Sequence, residues 1–166
     1  IAALGLLINE KAGIVNLGAE GMMLCAAIAG FATVAHTGNF WFGFLAGMAA
    51  GAILAAIFGG LVIWLNTNQY ATGLALSLFG TGFSAFAGIQ YVQVKLPEQT
   101  QYAIPFLGDI PFLGMALFRQ HPMVYIGIAL MFGLIWFLYS TRTCLVLRSV
   151  GESPESAHAL GYSVRR

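Results

Sequence analysis

The sequence contains very few charged residues: Asp, Glu, Lys and Arg make up 8% of its 166 residues, whereas hydrophobic types make up 59%. Soluble domains carry about 25% charged residues, so this chain could not cover a soluble fold with polar surface. The same apolar content excludes intrinsic disorder. With a mean hydropathy of +0.83, most of the chain is expected to lie in lipid.

Other absences exclude further classes of protein. The net charge of +1 provides no basic surface for nucleic acid, and two distant cysteines, Cys25 and Cys144, favour neither a disulfide framework nor a metal site. The sequence has no HExxH, GxSxG or GxxxxGK[ST] motif, and no paired catalytic groups are expected at membrane depth. We therefore predict a protein that is not an enzyme, with no ATPase site, cofactor or metal of its own.

Four stretches are long and apolar enough to cross a bilayer, whose core of about 30 Å needs about 20 helical residues. The expected spans are about 14–36, 41–65, 73–92 and 122–139. The first contains a short apolar run and must extend backwards, which takes Asn16 and Glu20 below the membrane surface. The predicted fold is an all-α polytopic transmembrane helical bundle forming a single domain over residues 1–166.

The positions of the arginines predict the orientation. Arg142, Arg148, Arg165 and Arg166 all follow the last span, and cytoplasmic loops carry an excess of such residues. Residues 140–166 are therefore expected in the cytoplasm, and residues 93–121 outside it. The outer segment is either a docking surface for an external partner or an ordered connector.

Glycines recur at every fourth position of the second span. Small residues at this spacing allow helix backbones to approach closely in lipid, so we predict helix packing along this ridge. It consists of Gly43, Gly47, Gly51, Ala55 and Gly59, and a shorter ridge consists of Gly80, Ser84 and Gly88.

Polar residues near the spans are candidates for a translocation path, because polar groups at membrane depth tend to face the bundle interior or a water-filled path. The candidates are Asn16, Glu20, Asn66, Asn68 and Gln69. Residues 66–72 could instead form a plain loop, and Glu10 and Lys11 an ordinary ion-paired turn.

The segment after the last span has the pattern of a short capped helix. Ser153 suits the N-cap, Pro154 the first helical position, Glu155 the first turn and Gly161 the position after the end. Two helical turns are unstable alone in water, so this helix either docks on a partner or is a connector on the surface.

Two motifs resemble a known family. Residues 12–23, AGIVNLGAEGMM, are similar to the GVVNIGxEGMM motif of bacterial ABC importer permeases of the branched-chain amino acid and ribose group. Residues 148–157, RSVGESPESA, resemble RAVGENPEAA in the same family. Glu155, Ser156, Ala157 and Gly161 also fit the wider EAA-xxx-G loop, with Ser156 replacing an alanine. The nearest likeness is to permeases for nucleosides or simple sugars, which work with binding lipoproteins of the basic membrane protein type.

The resemblance implies a permease subunit of an ATP-driven importer in the bacterial plasma (inner) membrane. Its implied partners are cytoplasmic ATPase subunits that bind the ATP, a second permease subunit and an extracytoplasmic substrate-binding lipoprotein. Residues 153–161 would be the coupling helix that contacts the ATPase. Since such permeases are about twice as long, the chain is expected to be truncated at both ends. The alternatives are a secondary transporter or channel that uses Glu10, Lys11 and Glu20, and a branched-chain amino acid as cargo in the same family.

Overall fold

The computed structural model describes residues 2–95, 122–153 and 158. All regular structure within these ranges is helical, which confirms the predicted all-α class. The elements are α1 (Ala2–Lys11), α2 (Ala19–Thr37), α3 (Phe40–Gly59), a π-helical segment (Gly60–Trp64), α4 (Gln69–Gly88), a 3₁₀ turn (Ile89–Tyr91), α5 (Pro122–Ser140) and α6 (Arg142–Glu152).

The described residues fall into two compact units. One contains residues 2–95 together with 146–153 and 158, and the other contains residues 122–145. The second unit is α5 with the first turn of α6. The prediction of one domain over the whole chain stays a prediction.

Four described helical stretches are long and apolar enough to cross a membrane: Ala19–Thr37, Phe40–Trp64, Gln69–Tyr91 and Pro122–Ser140. The first begins later than the expected start near residue 14, and the third begins earlier than the expected start at residue 73. Both differences have local causes. The Asn16 side chain accepts a hydrogen bond from the backbone just before α2. Asn68 caps α4, so that the helix begins at Gln69, four residues before the expected start.

The first unit is built around α2. This helix packs extensively against α3 on one side and α4 on the other, whereas α3 and α4 make little contact with each other. The buried core between them consists of Met22, Cys25, Leu54 and Phe58, with Ile14, Val62 and Leu76 packed against it. The core lies toward the end of the bundle where α2 and α4 begin and α3 ends.

Glycines bring α2 and α3 into backbone contact. A Cβ atom on Gly47 would lie 3.0 Å from the Ala26 carbonyl oxygen, and one on Gly43 would lie 2.9 Å from the Gly30 oxygen. Gly51 is more open, since its nearest contact would be the Ala26 Cβ at 3.8 Å. At Gly59, no atom of another described element lies within 4 Å of a Cβ. The structure thus places Gly43 and Gly47 in the closest part of this interface, and a packing role for Gly59 stays a prediction.

A second face of α2 packs against α4, and the backbones of these two helices are closer together than those of α2 and α3. A Cβ atom on Gly21 would lie 2.6 Å from both the Leu76 oxygen and the Ser77 Cα, and one on Gly80 would overlap the Gly21 backbone. One turn nearer the start of both helices, a Cβ atom on Gly73 would lie 3.1 Å from the Gly18 nitrogen. Only small residues allow this approach, because helices in lipid associate through close packing.

Candidate functional site

The connection between α1 and α2 is not helical. Gly13 adopts a left-handed backbone, with φ of 79°, and the Ile14 N–H donates to the Asn9 carbonyl oxygen at 3.0 Å. Gly13 therefore ends α1, as glycines with positive φ commonly do. The chain then continues without helical structure through residue 18.

Asn16 lies in the non-helical connection before α2, so the expected start of the first helix near residue 14 was wrong, and the depth of Asn16 in the membrane stays a prediction. Its side-chain Oδ1 accepts a hydrogen bond from the Gly18 N–H at 2.9 Å, and its Nδ2 lies 3.8 Å from the Met22 sulfur. Asparagine often bonds to backbone two residues on, which competes with helix formation. Asn16 is half-buried and shapes the entry to α2.

The predicted polar patch at residues 66–72 forms the turn into α4. Asn66 has a positive φ of 49°, and the Thr67 hydroxyl donates to the Leu61 carbonyl oxygen at 2.9 Å. Asn68 is the N-cap of α4, because its Oδ1 accepts hydrogen bonds from the N–H groups of Tyr70 and Ala71. These bonds satisfy donors that a helix start leaves without partners.

Gln69 joins the two polar segments. Its Oε1 accepts a hydrogen bond from the Val15 N–H at 3.0 Å, across 54 positions of sequence. The structure therefore brings the neighbourhood of Asn16 and the start of α4 together. We call residues 12–18 and 66–73 the polar junction.

Three of the predicted path residues line one open depression of about 410 Å³. Asn66, Asn68 and Gln69 are its predicted members, and Val62, Thr67 and Tyr70 complete the lining. Amide groups supply both donors and acceptors, so the surface could contact a neutral, hydroxylated solute. The path assignment itself stays a prediction.

The predicted charged residues are not gathered into a site. Glu20 is exposed in the first turn of α2, and Glu10 and Lys11 are exposed at the end of α1. Among the described residues none of the three forms an ion pair, since the salt bridge found there joins Arg148 and Glu152. The geometry thus adds no observation in favour of an ion path through Glu10 and Glu20.

The end of α6 packs against the polar junction. A Cβ atom on Gly151 would lie 2.9 Å from both the Ala12 carbonyl carbon and the Gly13 nitrogen, and closer to the Lys11 carbonyl oxygen. A Cβ atom on Gly13 would lie 3.0 Å from the Gly151 Cα. Two backbones therefore touch at this point.

The predicted coupling segment begins directly after this contact. The Ser153 N–H donates to the Ser149 carbonyl oxygen at 3.0 Å, so Ser153 follows the last turn of α6. His158 has helical conformation. Pro154, Glu155, Ser156, Ala157 and Gly161 lie outside the described residues.

Sequence reasoning missed several contacts. Neither α6 nor the bond from Val15 to Gln69 was predicted. The contact between the His36 Nε2 and the Tyr91 hydroxyl, at 3.1 Å, was not predicted either. This contact joins the other ends of α2 and α4, where Phe31 also packs edge-on against Tyr91. No motif in the sequence marks these pairs, although the Arg148–Glu152 spacing is a helical signal.

Comparison with known proteins matches the chain to one family along its whole length. The family described as branched-chain amino acid transport system / permease component matches residues 1–166. A putative glucose ABC transporter permease protein of Haloferax volcanii is 41% identical over 169 residues, which cover 99% of this chain and 51% of that protein.

Two further relatives carry nucleoside names. A guanosine ABC transporter permease protein of Bacillus subtilis is 34% identical over 99% of this chain and 55% of its own length. A nucleoside ABC transporter permease protein of Lactococcus lactis subsp. cremoris is 30% identical over 98% of this chain and 55% of its own length.

The chain spans about half the length of these curated relatives. No solved structure matches it. The match to the family nevertheless extends from the first residue to the last. The described part of the chain includes four membrane-length helices, so the chain is a multi-pass membrane protein, and it belongs to the family of branched-chain amino acid transport system permease components.

Proposed function

We propose that this chain forms part of the membrane subunit of an ATP-driven importer for nucleosides or simple sugars. The observation that carries the proposal is the similarity, over 98–99% of the chain, to three ABC transporter permeases whose names specify glucose, guanosine and nucleosides. A branched-chain amino acid remains the lesser alternative for the cargo, because the family description includes it.

In this proposal the chain supplies part of the transport pathway, and another subunit supplies the energy from ATP. The sequence of this chain contains no phosphate-binding loop of the GxxxxGK[ST] type. In the proposed assembly, ATP would bind to a separate cytoplasmic subunit. A second permease subunit and an extracytoplasmic binding lipoprotein would complete the assembly. Membership of the family supports a location in the plasma (inner) membrane, and the arginines after α5 support an orientation with residues 140–166 in the cytoplasm.

The proposed contact with the ATPase is the segment Ser153–Gly161. Its sequence has a serine for the N-cap, a proline for the first helical position and a glycine after the end, as expected of a two-turn helix. It follows immediately on α6. Movement of the ATPase subunits would displace this segment as a rigid body and switch the access of the pathway.

Uptake by the gene product with its ATPase and binding protein tests the proposal. We expect ATP-dependent uptake of a labelled nucleoside or simple sugar that an excess of branched-chain amino acid does not reduce. Competition by leucine would reassign the cargo. Uptake that needs a proton or sodium gradient and no ATP would refute the importer and support the secondary transporter.

Variants of the proposed coupling segment test its role. Glu155→Lys and Gly161→Val should abolish most uptake while the protein still inserts in the membrane and the ATPase still hydrolyses ATP. Glu155→Asp keeps the carboxylate and should retain uptake. Uptake at the wild-type level by both disruptive variants would contradict the docking assignment.

A further inference from the structure

The contact between Gly13 and Gly151 has a geometry that only glycine permits. A Cβ atom on Gly151 would meet the backbone atoms of Lys11, Ala12 and Gly13, and one on Gly13 would lie 3.0 Å from the Gly151 carbonyl oxygen. Each obstacle is backbone rather than the end of a flexible side chain. Neither glycine could therefore gain a side chain without a displacement of the chain opposite. We call this contact the glycine joint.

The glycine joint lies between the proposed coupling segment and the membrane helices. On one side, Gly151 is the second-last residue of α6, two residues before Ser153. On the other side, Gly13 leads through a short non-helical stretch to Val15, whose N–H donates to Gln69 at 3.0 Å. Gln69 is the first residue of α4.

The same stretch is fixed to α2. The Gly18 N–H donates to Asn16 at 2.9 Å, and a Cβ atom on Gly18 would lie 3.0 Å from the Gly73 carbonyl oxygen on α4. Each step from the end of α6 to the starts of α2 and α4 is therefore a direct contact or a hydrogen bond, so a displacement of the end of α6 is passed on to both helix starts. Close-packed contacts of this kind transmit displacement because they are not compressible.

We infer that the glycine joint is the mechanical connection through which movement of the coupling segment reaches the starts of α2 and α4, with Gly151, Gly13 and Gln69 as positioning residues. The inference rests on the proposed function. It adds to that function a route through the α1–α2 connection, which is distant in sequence from the coupling segment.

The test compares glycine-to-alanine variants in the gene product, reconstituted with its ATPase and binding protein. Alanine is the better helix former by about 1 kcal/mol, so a loss in Gly151→Ala must come from the contact and not from the helix. Gly5→Ala is the matched control, because among the described residues no atom outside the backbone of α1 itself lies within 4 Å of a Cβ at Gly5. Gly13→Ala is a less suitable test variant, since alanine at this positive φ would add backbone strain that has nothing to do with the contact.

The readout is the number of solute molecules taken up per ATP hydrolysed, at equal amounts of assembled complex. We expect Gly151→Ala to lower this ratio by roughly two- to thirtyfold, the range of mutations that alter coupling between sites. Gly5→Ala should leave it unchanged. A merely destabilising effect would reduce the amount of complex but not the ratio.

Gln69 supplies an independent variant. Gln69→Met removes the acceptor for the Val15 N–H and should lower the ratio, as Gly151→Ala does. Normal coupling in Gly151→Ala and Gln69→Met, with a wild type that transports, would refute the glycine joint alone. A wild type without any ATP-dependent uptake would refute the proposed function and the coupling role with it.

Discussion

The contact between Gly21 and Gly80 gives a quantitative prediction about the packing of α2 on α4. A Cβ atom on Gly80 would lie 2.5 Å from both the Cα and the carbonyl carbon of Gly21. Carbon atoms pack best at about 3.5 Å or more, so Gly80→Ala must move the two backbones apart by about 1 Å. Overpacking of this kind typically costs about 1–3 kcal/mol.

Gly82 provides the control, because it lies on the same helix and, in the part of the chain that the structure describes, no atom outside the local helix backbone is within 4 Å of a Cβ there. Both substitutions gain the same helix propensity of about 1 kcal/mol, which cancels in the comparison. The free energy difference between Gly80→Ala and Gly82→Ala is therefore the cost of the contact, about 1–3 kcal/mol. It corresponds to about a five- to 150-fold change in the opening equilibrium of the interface.

Cys25 reports this opening directly. Its side chain is 4% exposed, and its sulfur lies 3.7 Å from the Gly80 carbonyl oxygen. In a Cys144→Ala background, a membrane-permeant maleimide should label Cys25 faster in Gly80→Ala than in Gly82→Ala by that factor. Equal labelling rates in the two variants would refute the argument that α2 and α4 are held at backbone contact.

Two further substitutions test local parts of the same unit. Asn68→Ala removes the acceptor for the Tyr70 and Ala71 N–H groups and should destabilise the start of α4 by about 1 kcal/mol. The measurement is hydrogen exchange of these two amides, which should become faster. Asn68→Asp keeps the acceptor and should leave the exchange unchanged, and equal exchange in both variants would contradict the cap. Gly47→Val should weaken α2–α3 packing by about 1–3 kcal/mol in a denaturant titration. Gly51→Val should lower the free energy of unfolding by less, because the nearest contact of its Cβ is at 3.8 Å. The reverse order of the two variants would refute the assigned interface.

Hydropathy predicts the membrane-length helices because bilayer thickness fixes their length. Leu65 was the expected end of the second span, and the structure ends the helical stretch at Trp64. Polar helix ends are harder to predict, since they depend on single hydrogen bonds. Asn68 extends α4 to Gln69 by capping it, and Asn16 delays α2 to Ala19 by bonding to Gly18.

Helix α6 was missed for a related reason. It is short and amphipathic, and it carries both the exposed pair Arg148–Glu152 and the buried Cys144. A search for long apolar runs passes over such a helix, although its i,i+4 charge spacing is visible in the sequence. Propensity alone could not establish it, because helices of this length depend on tertiary contacts.

The candidate site was only partly predictable. Asn66, Asn68 and Gln69 adjoin in sequence, so their shared depression follows from the chain itself. The bond from Gln69 to Val15 and the contact of Gly151 with Gly13 join residues that are far apart in sequence. A glycine in the sequence does not reveal which backbone it will touch.

The two glycine faces of α2 limit how the unit can move. Sliding α2 along α3 would bring side chains past Gly43 and Gly47, and sliding it along α4 would bring them past Gly80, where no space for a side chain exists. Because close-packed interfaces are not continuously deformable, we expect α2, α3 and α4 to respond to a displacement as one body. A force applied through the glycine joint enters this body at the starts of α2 and α4, where hydrogen bonds to Asn16 and Gln69 fix the connecting chain. Movement of the three helices together as a rigid body is therefore the expected response, and internal rearrangement among them is not.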